Sequence, residues 1–168
     1  MTTLYLVRHG ETVDNANQIL QGQGQGKLNE IGLQQARALR EQLRKNHVDV
    51  FVASDLQRSI DTCRIIAEPH GLPVEITSLL RERDWGDFTG MFIPDLKDKK
   101  WPENVETLEQ MRSRARNFLT YLKTAYRDRV IVAVGHGIIN KAIQSVYFNK
   151  PMNEIPRMTN AEVRVLIL

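Results

Sequence analysis

Leu4-Tyr5-Leu6-Val7-Arg8-His9-Gly10-Glu11-Thr12 is the stretch whose reading decides the fold. Four apolar residues in succession suit a strand buried on both faces and are too few for a helix. The run ends abruptly in a guanidinium, an imidazole and a glycine. In an open parallel sheet, ligands bind beyond the carboxyl ends of the strands, where loops carry chemistry on a rigid frame. Arg8 and His9 therefore fall at a candidate site by pattern alone, and Gly10 lets the backbone bend tightly and a ligand approach it.

The same design recurs near the other end of the chain. Val130-Ile131-Val132-Ala133-Val134 reads as a strand, and Gly135-His136-Gly137 follows before an apolar helix begins at Ile138. The free N–H groups of that helix face the loop. Between these two units, 48–53 reads as a further strand, and Ser54-Asp55-Leu56-Gln57 reads as a capping box with Ser54 as the N-cap. Arg58 then lies in the first helical turn, an awkward place for a cation because the amino end of a helix is already positive. An external anion over that end would resolve the conflict. The helix runs through Ile65, Ile66 and Ala67 and closes at Pro69 and Gly71; within it, Cys63 reads as a small buried hydrophobe, not a nucleophile.

The remaining segments are read more coarsely. Residues 13–26 are polar and include Gln21-Gly22-Gln23-Gly24-Gln25-Gly26, which lacks the Lys-Ser/Thr ending of a phosphate-binding P-loop and reads as a mobile loop beside the site. Asn29 caps a helix over 30–46 with Ile31, Ala36, Leu39 and Leu43 near one face. A short edge strand falls in 72–80, because Pro73 cannot donate to a ladder. Residues 80–90 mix charge, aromatic rings and glycine with no regular period, as site loops do, and carry Glu82; 91–102 is a solvated loop or short helix. A helix over 105–126 carries the core stripe Leu108, Met111, Ala115, Phe118, Leu119 and Leu122. Residues 161–168 form a last strand, with Val163, Val165 and Ile167 alternating. Strands alternating with helices imply an α/β fold: one domain over 1–168, a three-layer α/β/α sandwich around a mainly parallel central sheet.

The totals bound the rest. A chain of 168 residues buries a real core as one domain. Its net charge of +3, from 23 basic and 20 acidic residues spread along the chain, is too weak and too dispersed to imply nucleic acid. One cysteine excludes an internal disulfide. No signal-peptide pattern precedes the strand that begins at about Thr3, and no apolar run nears the roughly twenty residues of a membrane span. A soluble, cytoplasmic protein with no membrane partner is expected.

Three strand ends thus deliver Arg8-His9-Gly10, Arg58 and Gly135-His136-Gly137, while the irregular loop delivers Glu82. These parts suit a phosphate ester. Two guanidiniums can clamp phosphoryl oxygens bidentately, and helix amino ends and glycine backbones add neutral donors. A neutral imidazole is a competent nucleophile at phosphorus, and a carboxyl beside a bound phosphate can serve as general acid. A metal site built from His9, His136 and Glu82 is one rival, opposed by Arg8 and Arg58, which would repel a dication. A non-catalytic phosphate-binding module is another, and it would need neither a nucleophile nor an acid. His47 and His70 read as surface residues, and Glu11, Arg81, Arg83 and Asp84 divide evenly between salt bridging and a site role.

The run from Leu6 to Thr12, with Asn15 downstream, resembles the signature of the histidine phosphatase superfamily, in the branch of cofactor-dependent phosphoglycerate mutases and related phosphatases. Ser54-Asp55-Leu56-Gln57-Arg58-Ser59 with Thr62 resembles its second motif. Leu80-Arg81-Glu82 with Gly86, Phe88 and Gly90 resembles its acid-bearing motif, and Val134-Gly135-His136-Gly137 its last. Asn29, Gly32, Gln35 and Ala36 match its first helix. The resemblance implies a phosphoglycerate mutase-like fold and a small phosphorylated metabolite as substrate, with no metal and no cofactor. It further implies that His9 becomes phosphohistidine in a pocket of Arg8, Arg58 and His136. Glu82 would protonate the leaving oxygen and then activate water, and Asn15 and the Gly137 backbone would add phosphate or substrate contacts. The segment between Glu82 and His136 is short beside that of the mutases, whose insertion covers the site. A mutase must shield its phosphohistidine from water, so the resemblance points to a phosphatase first and a mutase second.

Overall fold

In the computed structural model, which describes residues 1–168, β1 (Thr3–Arg8), β2 (Val50–Ser54), β3 (Val74–Thr77), β4 (Val130–Gly135) and β5 (Val163–Ile167) form one sheet. Their order is β3-β2-β4-β1-β5, with every neighbouring pair parallel except β1 and β5. Arg8 pairs with Gly135, so the two strand ends read from the sequence lie level and adjacent.

The helices are α1 (Val13–Ala16), α2 (Glu30–Leu43), α3 (Gln57–Ala67), α4 (Leu108–Ala125) and α5 (Gly137–Phe148). Leu4, Leu6, Ile131 and Ala133 join Met111, Phe118, Leu122, Ile139 and Ile143 in a core under α4 and α5. Val7, Val132, Val134 and Phe51 face the other way and join Leu39, Leu43, Cys63 and Ile66 under α2 and α3. Because both faces of the central strands are covered, those strands read as unbroken apolar runs. Each large side chain so buried contributes about 1.5–3 kcal/mol. The expected three-layer sandwich is therefore the observed one. No helix is long and apolar enough to cross a membrane.

Several local expectations are corrected. Ser54 is the last residue of β2, not a helix cap; α3 starts at Gln57, with Leu56 in the N-cap position and no cap from its own side chain. The free Gln57 N–H instead donates to the Gln25 side-chain oxygen at 2.8 Å, from 32 residues upstream. The Gln/Gly run is thus tied down and not a free loop: Gln23 also donates to the Glu82 carbonyl, and Thr12 to Gln21. Residues 13–16 form α1, closed by a reciprocal box between Thr12 and Asn15.

In α2 the helix stops at Leu43, and Ile31 is exposed while Gly32 takes the inward place. A Cβ on Gly10 would lie 2.6 Å from the Gly32 carbonyl oxygen, so the site loop and α2 meet at two glycines because side chains would keep them apart. α4 starts at Leu108 behind a Thr107–Gln110 capping box, and Leu108 is exposed while the rest of the stripe is buried. In β5, Leu166 is the core residue; on the opposite face only Val163 packs against the core, and Val165 and Ile167 lie open at the sheet edge.

Candidate active site

A cavity of about 310 Å³ opens at the carboxyl ends of the parallel strands, and Arg8, His9, Asn15, Arg58, Glu82, His136 and Gly137 all line it. The seven residues singled out from the sequence are brought together by β1, β2, β4 and the loop after β3. No group of three or more His, Cys, Asp or Glu side chains is placed to hold a metal ion.

His9 Nδ1 lies 2.6 Å from the Gly10 carbonyl oxygen. A carbonyl can only accept, so Nδ1 carries the hydrogen and Nε2 keeps its lone pair. Burial, then the charge of Arg58 and that of Arg8, pulls the His9 pKa down to about 3 against the pull of the Gly10 bond. The ring is neutral at pH 7 with a free basic nitrogen. His136 packs edge-on against it at 5.0 Å between centroids. His136 Nε2 meets the Ser54 hydroxyl at 2.7 Å, and burial, followed by Arg58 and His9, holds this imidazole well below its ordinary pKa.

Arg8 donates through Nη1 to the Met158 carbonyl at 2.7 Å. Arg58, 1% exposed, donates to the Gly24 and Gly22 carbonyls at 2.6 and 2.7 Å. Those carbonyls answer the awkward charge at the start of α3 from within the chain. Burial brings the Arg58 pKa down to about 10, which leaves it cationic at pH 7. Six buried side-chain polar atoms in the protein lack a partner, and three of them are Arg8 Nε, Arg58 Nε and His136 Nδ1. Orphans of this kind are rare and cost about 1–3 kcal/mol each. All three belong to residues that line the cavity, where a ligand with oxygen acceptors suits the donors around it.

Glu82 is aimed by its neighbours. Arg81 is paired with Asp55 at 2.5 and 2.7 Å, Arg83 lies over the rings of both Trp85 and Trp101, and Arg114 donates to the carbonyls of Arg81 and Glu82. The Glu82 carboxylate accepts from the N–H groups of Ile138 and Ile139 at 3.0–3.2 Å, supplying α5 with the cap that its own N-cap residue, His136, does not. A Cβ on Gly137 would lie 3.5 Å from Arg8 Cζ and 3.7 Å from Glu82 Oε2, so glycine there keeps the space between them clear.

Asn15 closes α1 and accepts from Asn160 Nδ2, which also donates to the His9 carbonyl. Asn160, Lys141 and Arg157 were not found from the sequence, although the last two line the cavity. Lys141 had a readable signal, since it lies one helical turn after Gly137 and shares its face; Asn160 and Arg157 sit in irregular chain with none. Glu11, Arg81, Arg83 and Asp84 do not line the cavity, and the two arginines serve structure. His47 is exposed, but His70 is half-buried against Phe51, a correction to its reading as a surface residue.

The two neutral imidazoles make stability depend on pH. Both stay unprotonated in the folded protein and take up protons once it unfolds, so stability is full above the ordinary histidine pKa of 6.5 and falls as pH drops from 6.5 toward about 3. The loss is roughly 1.4 kcal/mol per pH unit for each imidazole. Thermal melts at pH 7 and pH 5 are expected to show a lower Tm at pH 5, with a smaller drop in His9→Ala; equal drops in the two proteins would contradict the assignment.

Comparison with known proteins follows the same outline. The model of the histidine phosphatase superfamily (branch 1) matches residues 4–168. The phosphatase PhoE of Bacillus subtilis is 34% identical over 166 residues, covering 96% of this chain and 86% of that one. A metal-independent phosphoserine phosphatase of Arabidopsis thaliana is 33% identical over 161 residues, covering 85% and 67%. The solved structure of a mycobacterial glucosyl-3-phosphoglycerate phosphatase in complex with VO3 superposes with a TM-score of 0.89 at 28% identity, covering 98% and 92%.

Proposed function

Because the chain belongs to the histidine phosphatase superfamily, we propose that it is a metal-independent phosphomonoesterase, a single cytoplasmic domain over 1–168 that hydrolyses a small phosphorylated metabolite through phosphohistidine at His9. The observation that carries this reading is the grouping around one cavity of the Arg8 and Arg58 guanidiniums, the His136 imidazole and the neutral His9 ring, the first three each with one buried nitrogen that has no partner within the chain. A phosphoryl group supplies the acceptors that those nitrogens lack.

The steps follow from the geometry. His9 Nε2 attacks phosphorus as the ester oxygen departs on the opposite side; Nδ1 keeps its hydrogen and donates it to the Gly10 carbonyl, which steadies the positive ring that forms. Arg8, Arg58 and His136 hold the equatorial oxygens, with the Gly137 backbone and Asn15 at the edge. Glu82 passes the proton that a phosphate monoanion brings in to the leaving oxygen, then as carboxylate takes a proton from water, which attacks phosphorus and returns His9 to its neutral state. Positioning and fixed positive charge lower the barrier. Hydrolysis is favoured over mutase transfer because the segment between Glu82 and His136 is short and contributes only Trp85 and Ile93 to the cavity wall.

Steady-state hydrolysis of p-nitrophenyl phosphate in excess EDTA tests the reading. Turnover equal to that without chelator is expected; activity that vanishes with EDTA and returns with a divalent metal would overturn it.

A further inference from the structure

The phosphate pocket accounts for Arg8 and Arg58, yet the cavity carries two more cations, Lys141 and Arg157. Glu82 is the one carboxylate among the lining residues. A phosphate ester and Glu82, which share the proton destined for the leaving oxygen, carry two negative charges between them and leave two of the four positive charges uncompensated. Neither Lys141 nor Arg157 forms an ion pair within the chain.

Their positions are fixed from below. Lys141 follows Gly137 by one turn of α5, so it rises from the face that fronts Arg8 and Glu82. Arg157 precedes Met158, whose carbonyl accepts from Arg8 Nη1 at 2.7 Å. The Met158 sulfur in turn meets Asn140 Nδ2 at 3.7 Å and Gln144 Nε2 at 3.5 Å, which clamps this loop to α5 on both sides of Lys141 in the sequence. The charge of Arg157 also bears on Arg8, lowering its pKa after burial has done so. Ile19, Leu20 and Ile93 are apolar parts of the remaining wall and carry no charge.

We propose that Lys141 and Arg157 form a second anion subsite beside the phosphate pocket, which selects phosphomonoesters whose leaving group carries its own carboxylate or equivalent negative group. The inference rests on the phosphatase reading for the site and adds to it the charge of the substrate and the residues that recognise it.

Binding separates the two. His9→Ala retains all four cations and cannot form the covalent intermediate, so calorimetric titration reads the subsite without turnover. The probes are 3-phosphoglycerate and glycerol 3-phosphate, which differ in bearing a carboxylate or a hydroxymethyl group. The carboxylate ester is expected to bind at least about tenfold more tightly. Adding Lys141→Met and Arg157→Met to the same background is expected to bring the two affinities within about twofold, mainly by weakening the carboxylate ester. Equal affinities in His9→Ala, an undiminished ratio in the triple variant, or a parallel loss of both affinities there would overturn the subsite. Hydrolysis of p-nitrophenyl phosphate by the unaltered protein reports separately on the phosphatase reading.

Discussion

His9→Ala is expected to lower kcat for p-nitrophenyl phosphate by about 10⁴-fold or more, because it removes the atom that bonds to phosphorus. The fold should survive. The groups that hold this point of the chain use its backbone: the His9 carbonyl accepts from Ala161 N and Asn160 Nδ2, and its N–H donates to the Gly135 carbonyl. The cations of the pocket remain, so binding of inorganic phosphate, followed by calorimetry, should persist while turnover is lost. Near-normal kcat in the folded variant would remove His9 from the reaction.

Glu82→Gln has the second largest expected effect, and its size depends on the leaving group. For an alkyl phosphate, whose alkoxide must be protonated as it departs, kcat should fall about 10³-fold; for p-nitrophenyl phosphate, whose phenolate is stable, by about tenfold or less. Glutamine retains an oxygen to accept from Ile138 and Ile139 but carries no negative charge to the amino end of α5, which costs the fold about 0.3–1 kcal/mol. Parallel kinetics on the two esters check this. Equal losses would assign Glu82 to capping α5 and exclude it as the acid.

The features legible in the sequence share a physical cause. Buried parallel strands announce themselves as apolar runs, and chemistry collects at their carboxyl ends, so Leu4 to Val7 and Val130 to Val134 led directly to His9 and His136. The conflict between Arg58 and the helix it begins was also legible, but its resolution was not: the carbonyls that take the guanidinium come from Gly22 and Gly24, 36 and 34 residues earlier. Ser54 illustrates the same limit. A local rule made it a helix cap, while in the folded chain it meets His136, 82 residues away. The aim of Glu82 at α5, 56 residues on, needed the anchoring of Arg81 and Arg83, each of which looks alone like ordinary surface charge. The inward face of β5 likewise depends on which layer covers the sheet edge, and alternation of apolar residues does not report that.

The covalent intermediate tests the central claim most directly. Rapid acid-free quenching of the enzyme with a phosphate ester, followed by mass spectrometry of the peptide containing Arg8-His9-Gly10, is expected to find one phosphoryl group on His9, stable to alkali, lost in acid and absent from His9→Ala. Turnover at full rate with no phosphorylated His9 at any quench time, or the label on another residue, would contradict it.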